Sequence, residues 1–287
     1  MSSGTLTAIH LHPVKSCRRV EVEHSTVSPC GLEGDREWQV FSEDGKVLTQ
    51  RRHPLLALVQ PTIIDGGLRL SAPGHGAVEA GRPERVDREV RALLGDEVAV
   101  GDGGDEAARW LTALTGTPCR LVALVTSDAR RIDLVPSQPV SLADATPVLV
   151  ANEASRRDLQ RRAVEPFGME RFRPNLVLDG PEAWSEDTWT AFSIGAARLE
   201  GLVPMPRCAM PQVDQDTAER RKEPALALRA HRWCSEAPSL PERWRSYFRG
   251  QGLFGLGATI EPAGAVIRVG DPLAVQATTT PLIPPPA

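Results

Sequence analysis

The chain has 287 residues, a formal net charge of −4 and 41% hydrophobic residues. A chain of this size can bury a core as one large domain or as two smaller ones. Its net acidity and its aromatic content of 5% argue against a binding surface for nucleic acid or for an anionic membrane.

The sequence has five scattered cysteines and no CxxC pair. An odd number of cysteines cannot all form disulfides within one chain, so this usage predicts a reducing compartment. The first residues lack the basic and apolar regions of a signal peptide, and no apolar run approaches the ~18 residues that span a bilayer. We therefore expect a cytoplasmic protein with no membrane partner.

The first third of the chain is rich in short Val, Ile, Leu and Thr segments separated by turn residues, a pattern typical of β structure. The predicted strands cover residues 5–11, 38–41, 47–49, 55–64 and 68–71, with a hairpin turn at 65–67. A helix that starts with Asp105 as its N-cap and stops at Gly116 follows these strands. We place the first, β-rich module at residues 1–117.

The second module, residues 118–275, is predicted to be mixed α/β. Asn152 is a suitable N-cap for an amphipathic helix over 153–163. Residues 128–141 are expected to form a surface connection, and the proline-rich tail, 276–287, to be extended or disordered. The predicted strands cover residues 120–126, 147–151, 175–179, 191–194, 197–202 and 264–269.

Several polar residues could carry chemistry. Cys208 follows Arg207, and a neighbouring cation favours the thiolate that binds metal, although a lone cysteine is also a common small core residue. The segment 171–175 combines two arginines with Asn175, which suits either an oxyanion site or a charged strand edge.

Other polar segments leave their roles open. Lys15-Ser16 and Asp35-Arg36 admit the same two interpretations, an oxyanion site or a charged surface. His10 and His12 alternate along one strand, which favours surface residues over zinc ligands because no third ligand stands at a useful spacing. The basic pair at 130–131 and the basic triplet at 220–222 form either solvated loops or the rim of an entrance for an anionic partner.

Taken in chain order, these segments resemble one family, the MOSC proteins (molybdenum cofactor sulfurase C-terminal). Pro13-Val14-Lys15-Ser16, Gly31-Leu32 and Asp35-Arg36 are similar to the N-terminal β-barrel domain that precedes MOSC domains. A further set of segments is similar to the MOSC core: 171–175, 186–189, 194–195, 207–208, 213–217, 222–224 and 269–271. The implied fold is mixed α/β and β-rich, with an N-terminal β-barrel-like module and a MOSC β-barrel domain with peripheral helices.

The family includes the mitochondrial amidoxime-reducing component and its bacterial relatives. The resemblance therefore implies the molybdenum cofactor (Mo-molybdopterin), with Cys208 as the metal ligand and with Arg207 and Asp214 as further catalytic residues. It also implies, at the level of the family, binding of pyridoxal phosphate. The implied cofactor-binding residues are Lys15, Ser16, Arg36, Thr146, Arg173, Asn175 and Arg207.

The implied activity is a molybdenum-dependent oxidoreductase that reduces N-oxygenated or related oxo substrates. The sequence has no C-x4-C-x2-C spacing and no GxGxxG after a strand, so the electrons are expected from a separate ferredoxin or flavoprotein reductase. Pro211-Gln212 stands where the family commonly has two threonines, which leaves the substrate class open. The alternatives are a sulfur-carrier or cofactor-handling protein that uses a Cys208 persulfide, and a non-catalytic cofactor-binding module.

Overall fold

The computed structural model describes residues 3–92, 95–126 and 130–286. Its helices are α1 (Asp105–Thr115), α2 (Glu153–Arg161), α3 (Ala225–His231) and α4 (Glu242–Phe248). Its strands are β1 (Ser3–Leu11), β2 (Val20–Val22), β3 (His24–Ser28), β4 (Gly31–Leu32), β5 (Trp38–Ser42), β6 (Gln60–Ile64), β7 (Gly67–Ala72), β8 (Gly76–Gly81), β9 (Arg88–Arg91), β10 (Glu97–Asp102), β11 (Cys119–Leu124), β12 (Val148–Asn152), β13 (Leu176–Asp179), β14 (Trp189–Ile194), β15 (Ala197–Arg207), β16 (Trp233–Cys234), β17 (Gln251–Glu261), β18 (Val266–Arg268) and β19 (Pro272–Thr278).

Seven strands close into a barrel in the order β12, β13, β1, β19, β14, β15 and β17. Antiparallel pairing of β17 with β12 completes the circle, so these strands leave no edge exposed to other chains. Apolar side chains from all seven strands form one buried cluster, among them Leu6, Val150, Leu178, Phe192, Leu199, Leu256 and Leu273. The strand-rich fold with few helices confirms the predicted fold class.

A second group of sheets is formed by strands that lie between β1 and β12 in sequence. One sheet has the order β5-β11-β10-β9, and a separate meander has the order β6-β7-β8. Helix α1 packs on both because Ala107, Leu111 and Leu114 fall on one face at helical spacing and are buried. The helix ends at Gly116, whose φ of 68° favours glycine, as predicted. Its N-cap is Gly104, so the prediction of Asp105 as the N-cap was wrong.

Strand pairing does not follow the predicted boundary between residues 117 and 118. β1 lies inside the barrel, between β13 and β19, although it belongs to the first module in sequence. β11 follows the boundary, yet it pairs with β5 and β10 of the first module. The two sets of strands are therefore interleaved, and the limits 1–117, 118–275 and 276–287 stay predictions.

Three local predictions differ from the structure. The predicted strand over 55–64 is a 3-10 turn at Pro54–Leu58 followed by β6, because proline at the start of the segment removes a backbone donor. Residues 47–49 contribute an isolated bridge from Val47 to Phe41 instead of a strand. The described part of 128–141 lies only partly on the surface, since Arg131 and Asp133 are exposed whereas Arg130 is buried and paired with Asp96.

The tail is ordered against the body of the protein. β19 continues to Thr278, and Ile283 then packs in the apolar cluster of Phe248 and Leu253. The backbone carbonyl of Pro284 also accepts a hydrogen bond from Arg232. Among the described residues, none of the helices is long and apolar enough to cross a membrane.

Candidate functional site

A cavity of about 490 Å³ opens where β15 ends and β17 begins. Segments from both halves of the chain line it, including the loop after β1 and the turn before β13. Among its lining residues are eight of the predicted site residues: Lys15, Ser16, Arg36, Thr146, Arg173, Asn175, Arg207 and Cys208. The structure thus brings together residues that lie far apart in sequence, from Lys15 to Cys208.

Three of these lining residues have left-handed backbone conformations, which side chains other than glycine rarely adopt. The φ angles are 70° at Ser16, 50° at Arg36 and 55° at Arg173. Backbone hydrogen bonds hold two of them, from Arg36 N to His12 O at 2.9 Å and from Arg173 N to Glu170 O at 3.1 Å. Such conformations cost on the order of 1–3 kcal/mol each and concentrate at functional sites. Here they direct three polar side chains into one cavity.

Cys208 presents an accessible thiol to the cavity. It follows the last residue of β15 and is exposed, whereas Cys17, Cys30, Cys119 and Cys234 are buried. Its Sγ accepts a hydrogen bond from the backbone N–H of Met210 at 3.4 Å. Burial raises the pKa of Cys17 to about 12, so a buried thiol of this kind is a poor ligand or nucleophile. Cys208 is the cysteine whose position suits metal binding.

Asn175 holds the cavity wall together. Its Oδ1 accepts hydrogen bonds from Arg36 Nη1 at 2.8 Å and from Leu149 N at 3.1 Å. Its Nδ2 donates to the carbonyl of His10 at 3.1 Å. The amide therefore ties β1 to the segment before β13 and to β12, and it fixes the direction of the Arg36 guanidinium.

The cavity is strongly cationic. Lys15, Arg36, Arg51, Arg173 and Arg207 line it, and Asp144 is the carboxylate among the lining residues. Lys15 Nζ lies 2.6 Å from Asp144 Oδ1. Burial lowers the pKa of Arg173, and the nearby charge of Arg36 lowers it further. An anion in the cavity would offset this repulsion between cations.

Buried donors without partners also point to an anionic ligand. Ser16 Oγ, Arg173 Nη2 and Arg207 Nε are buried and have no hydrogen-bond partner among the described residues. A buried donor left unpaired costs about 1–3 kcal/mol. A ligand that carries phosphate or other oxygen acceptors would satisfy all three, so the residues present fit a phosphate-bearing cofactor with a metal next to Cys208.

Asp214, predicted to be catalytic, does not line the cavity. Its Oδ1 accepts hydrogen bonds from the backbone N–H groups of Asp216 and Thr217 at 2.9 and 3.0 Å. Its Oδ2 lies 3.3 Å from Nη1 of Arg171, and Nε of the same guanidinium donates to Pro211 O at 2.6 Å. Asp214 and Arg171 therefore shape the loop that follows Cys208.

His10 and His12 are buried, so the prediction that they are surface residues was wrong. His12 Nε2 lies 3.3 Å from the carbonyl oxygen of Pro174. Burial lowers the pKa of His10 to about 4 and that of His12 well below its usual value. Both are neutral at physiological pH. Within the part of the chain that the structure describes, no three His, Cys, Asp or Glu side chains are grouped to hold a metal ion.

The chain is similar to proteins that contain MOSC domains over most of its length. Residues 3–118 match the family described as MOSC N-terminal beta barrel domain, and residues 137–274 match the MOSC domain. "Mitochondrial amidoxime reducing component 2" is 35% identical in Rattus norvegicus, over 94% of this chain and 82% of the relative. The Bos taurus protein of that name is 33% identical, with the same coverage. "Molybdenum cofactor sulfurase" of Danio rerio is 33% identical, over 79% of this chain and 30% of the relative.

Proposed function

Because this chain belongs to the family that joins a MOSC N-terminal domain to a MOSC domain, we propose that it is a molybdenum-cofactor-dependent oxidoreductase. Its substrates are N-oxygenated or related oxo compounds, in keeping with the names of the amidoxime-reducing relatives. The observation that carries the proposal is the accessible Cys208 thiol in a cationic cavity with unpaired buried donors.

In this proposal, the cavity residues divide the work of holding the cofactor. Cys208 is the thiolate ligand of molybdenum, and Arg207 is the cation beside it. Ser16 Oγ and Arg173 Nη2 donate to the phosphate and pterin acceptors, and Arg36 supplies charge from a direction fixed by Asn175. When bound, the cofactor would supply two-electron redox chemistry at molybdenum.

Protons for the reduction must come from this chain or from water. Removal of oxygen from an N-hydroxylated compound consumes two electrons and two protons and releases water. Tyr247 lines the cavity, and burial, with a further effect of Asp144, raises the pKa of its hydroxyl to about 12. The hydroxyl is therefore protonated at neutral pH and can donate a hydrogen bond to an oxygen atom in the cavity. The electrons come from an external carrier, a ferredoxin or a flavoprotein reductase.

A sulfur-carrier role is the second candidate. The exposure of Cys208 and the likeness of 79% of the chain to a molybdenum cofactor sulfurase favour it. In that role Cys208 would carry a persulfide and the chain would handle the cofactor without turnover. The cavity is less suited to pyridoxal phosphate, because Lys15, the lysine that lines it, is paired with Asp144.

Metal, pterin and labile-sulfur analysis of protein made in a cofactor-competent host separates the two roles. The reductase requires stoichiometric molybdenum and pterin, and metal analysis of Cys208→Ala should show lost molybdenum while pterin is retained on the basic residues. Labile sulfur on Cys208 in protein free of molybdenum would favour the carrier. Full molybdenum retention in Cys208→Ala, with unchanged sulfur coordination by X-ray absorption, would contradict the assignment of the ligand.

A further inference from the structure

The cationic side chains of the cavity differ in whether they already have hydrogen-bond or ion-pair partners within the protein. Lys15 pairs with Asp144. Three arginines donate hydrogen bonds to oxygen atoms of the protein: Arg36 to Asn175 Oδ1 at 2.8 Å, Arg173 to Cys17 O at 2.6 Å and Arg207 to Phe172 O at 2.5 Å. These four are held in place before any ligand arrives, as suits the binding of a resident group.

Arg51 is the exception. Its side chain lines the cavity and is half-buried, and its guanidinium has no hydrogen-bond or ion-pair partner among the described residues. Arg51 and Asp144 line the same cavity. Burial raises the pKa of Asp144, but Lys15, and then the charges of Arg51 and Arg36, bring it below its usual value. A guanidinium without a protein partner is available to bind a ligand that enters and leaves the cavity, such as a substrate.

The backbone of Arg51 is nevertheless well fixed. The amide N–H of Arg52 donates to Thr49 O at 2.9 Å, which forms a turn around Arg51. The side chain of Gln50 donates to Met210 O at 3.3 Å, two residues after Cys208. Arg220 donates to the carbonyl of Arg51 from the other side. The turn thus keeps Arg51 on the cavity wall next to the Cys208 loop.

We propose that Arg51 binds an anionic group of the substrate, so that the cavity prefers N-oxygenated compounds that carry a carboxylate over neutral ones. This inference rests on the proposed function and narrows its substrate class. A carboxylate accepts two parallel hydrogen bonds from the guanidinium, which fixes the orientation of the substrate as well as its charge. The reactive N–O group then lies toward Cys208, in the same cavity.

The test compares benzamidoxime with its 4-carboxylate derivative on molybdenum-loaded protein. Calorimetry measures binding of both compounds to the oxidised protein, and reduced viologen then supplies electrons for turnover. We expect the wild type to bind the carboxylate derivative more tightly, and Arg51→Gln to weaken that binding about tenfold or more while leaving benzamidoxime binding unchanged. Arg51→Lys should recover part of the loss because it keeps the charge but not the fork.

Arg52→Gln is the matched control. It removes the same charge from the neighbouring residue, whose side chain is exposed and does not line the cavity. Equal losses in Arg51→Gln and Arg52→Gln would overturn the proposal in favour of a general charge effect. Loss of the cofactor from Arg51→Gln would also overturn it, because Arg51 would then hold the resident group. If neither compound turns over at full molybdenum loading, the proposed reduction of amidoximes fails, while the calorimetric comparison still decides the role of Arg51.

Discussion

Cys208 differs from the other cysteines in exposure, and this difference predicts their order of alkylation. Burial raises the pKa of Cys17, Cys30, Cys119 and Cys234, and a protonated, buried thiol reacts slowly. In folded protein without cofactor, we expect iodoacetamide to label Cys208 first, with one fast alkylation by intact-mass spectrometry. The fast phase should disappear in Cys208→Ala and persist in Cys234→Ala.

Cofactor loading gives a further check on this labelling. If Cys208 ligates molybdenum, cofactor-loaded protein should lose the fast phase of alkylation, because the sulfur is then coordinated to the metal. Rapid labelling of the loaded protein at Cys208 would mean that its sulfur is not bound to the metal, whatever the metal content of the sample.

Arg173 permits a test of hydrogen-bond geometry at the cavity. One of its nitrogens, Nη1, is held by Cys17 O at 2.6 Å, and Nη2 is unpaired. We expect Arg173→Ala to weaken cofactor retention by roughly ten- to a hundredfold, corresponding to about 1.5–3 kcal/mol for a charge-assisted hydrogen bond. Arg173→Lys should lose less because it keeps the charge without the fork. Pterin content after dialysis measures the effect, and equal content in all three proteins would place Arg173 outside the binding site.

At the residue scale, sequence motifs identified part of the cavity. They pointed to Lys15, Arg36 and Cys208 because each belongs to a short segment with a family resemblance. They missed Arg51 and Tyr247, which lie in segments without such a motif and reach the cavity through tertiary contacts alone. They also gave Asp214 a catalytic role, although local hydrogen bonds to backbone N–H groups direct its side chain into a turn.

At the scale of an element, the 3-10 turn Ser185–Thr188 places two neighbouring carboxyl groups in the interior. Glu186 Oε2 accepts a hydrogen bond from Asn152 Nδ2 at 3.1 Å, while Glu186 Oε1 is unpaired among the described residues. Asp187 contacts the buried Arg232, whose guanidinium lies 4.2 Å from the centre of the Trp184 ring. Burial, and then the charge of Asp187, raise the pKa of Glu186 above its usual value near 4.5.

This arrangement predicts that the contribution of Glu186 to stability decreases as pH rises. A carboxyl group with a raised pKa in the folded state holds its proton there more tightly than in the unfolded state, so its contribution is complete below about pH 4.5 and is lost as pH rises through the raised value. We expect Glu186→Gln to be more stable than the wild type near neutral pH, by roughly 1–3 kcal/mol. The control is Glu182→Gln, whose side chain is exposed. Urea unfolding at several pH values measures the effect, and parallel curves for wild type and Glu186→Gln would refute it.

Strand positions were more predictable than strand partners. Alternation and turn residues located β1, β5, β7 and β14 to within a few residues, because these signals are local. The pairing of β1 with β19 joins the two ends of the chain. No local pattern encodes such a pairing, which depends on how the whole barrel closes. This explains why a boundary drawn on sequence at residue 117 does not separate the sheets.

For the whole molecule, net charge is a poor guide to the site. The chain carries a formal charge of −4, yet its cavity is lined by five cationic side chains and one carboxylate. The cations come from segments far apart in sequence, so composition could not indicate their meeting. An acidic exterior around a cationic cavity fits a small anionic ligand better than an extended polyanion, because the positive field is confined to the interior.

The last prediction concerns electron supply, which belongs to the chain as a whole. With five cysteines and no cluster spacing, the purified protein should show no iron-sulfur absorbance, and it should not accept electrons directly from NADH. It should reduce benzamidoxime when reduced viologen replaces the missing carrier, and this activity should vanish in Cys208→Ala. Absence of turnover at full molybdenum loading would favour a carrier, a binding module or another substrate class. Turnover with NADH alone would require a nicotinamide-reactive centre, contrary to the separate electron donor that we propose.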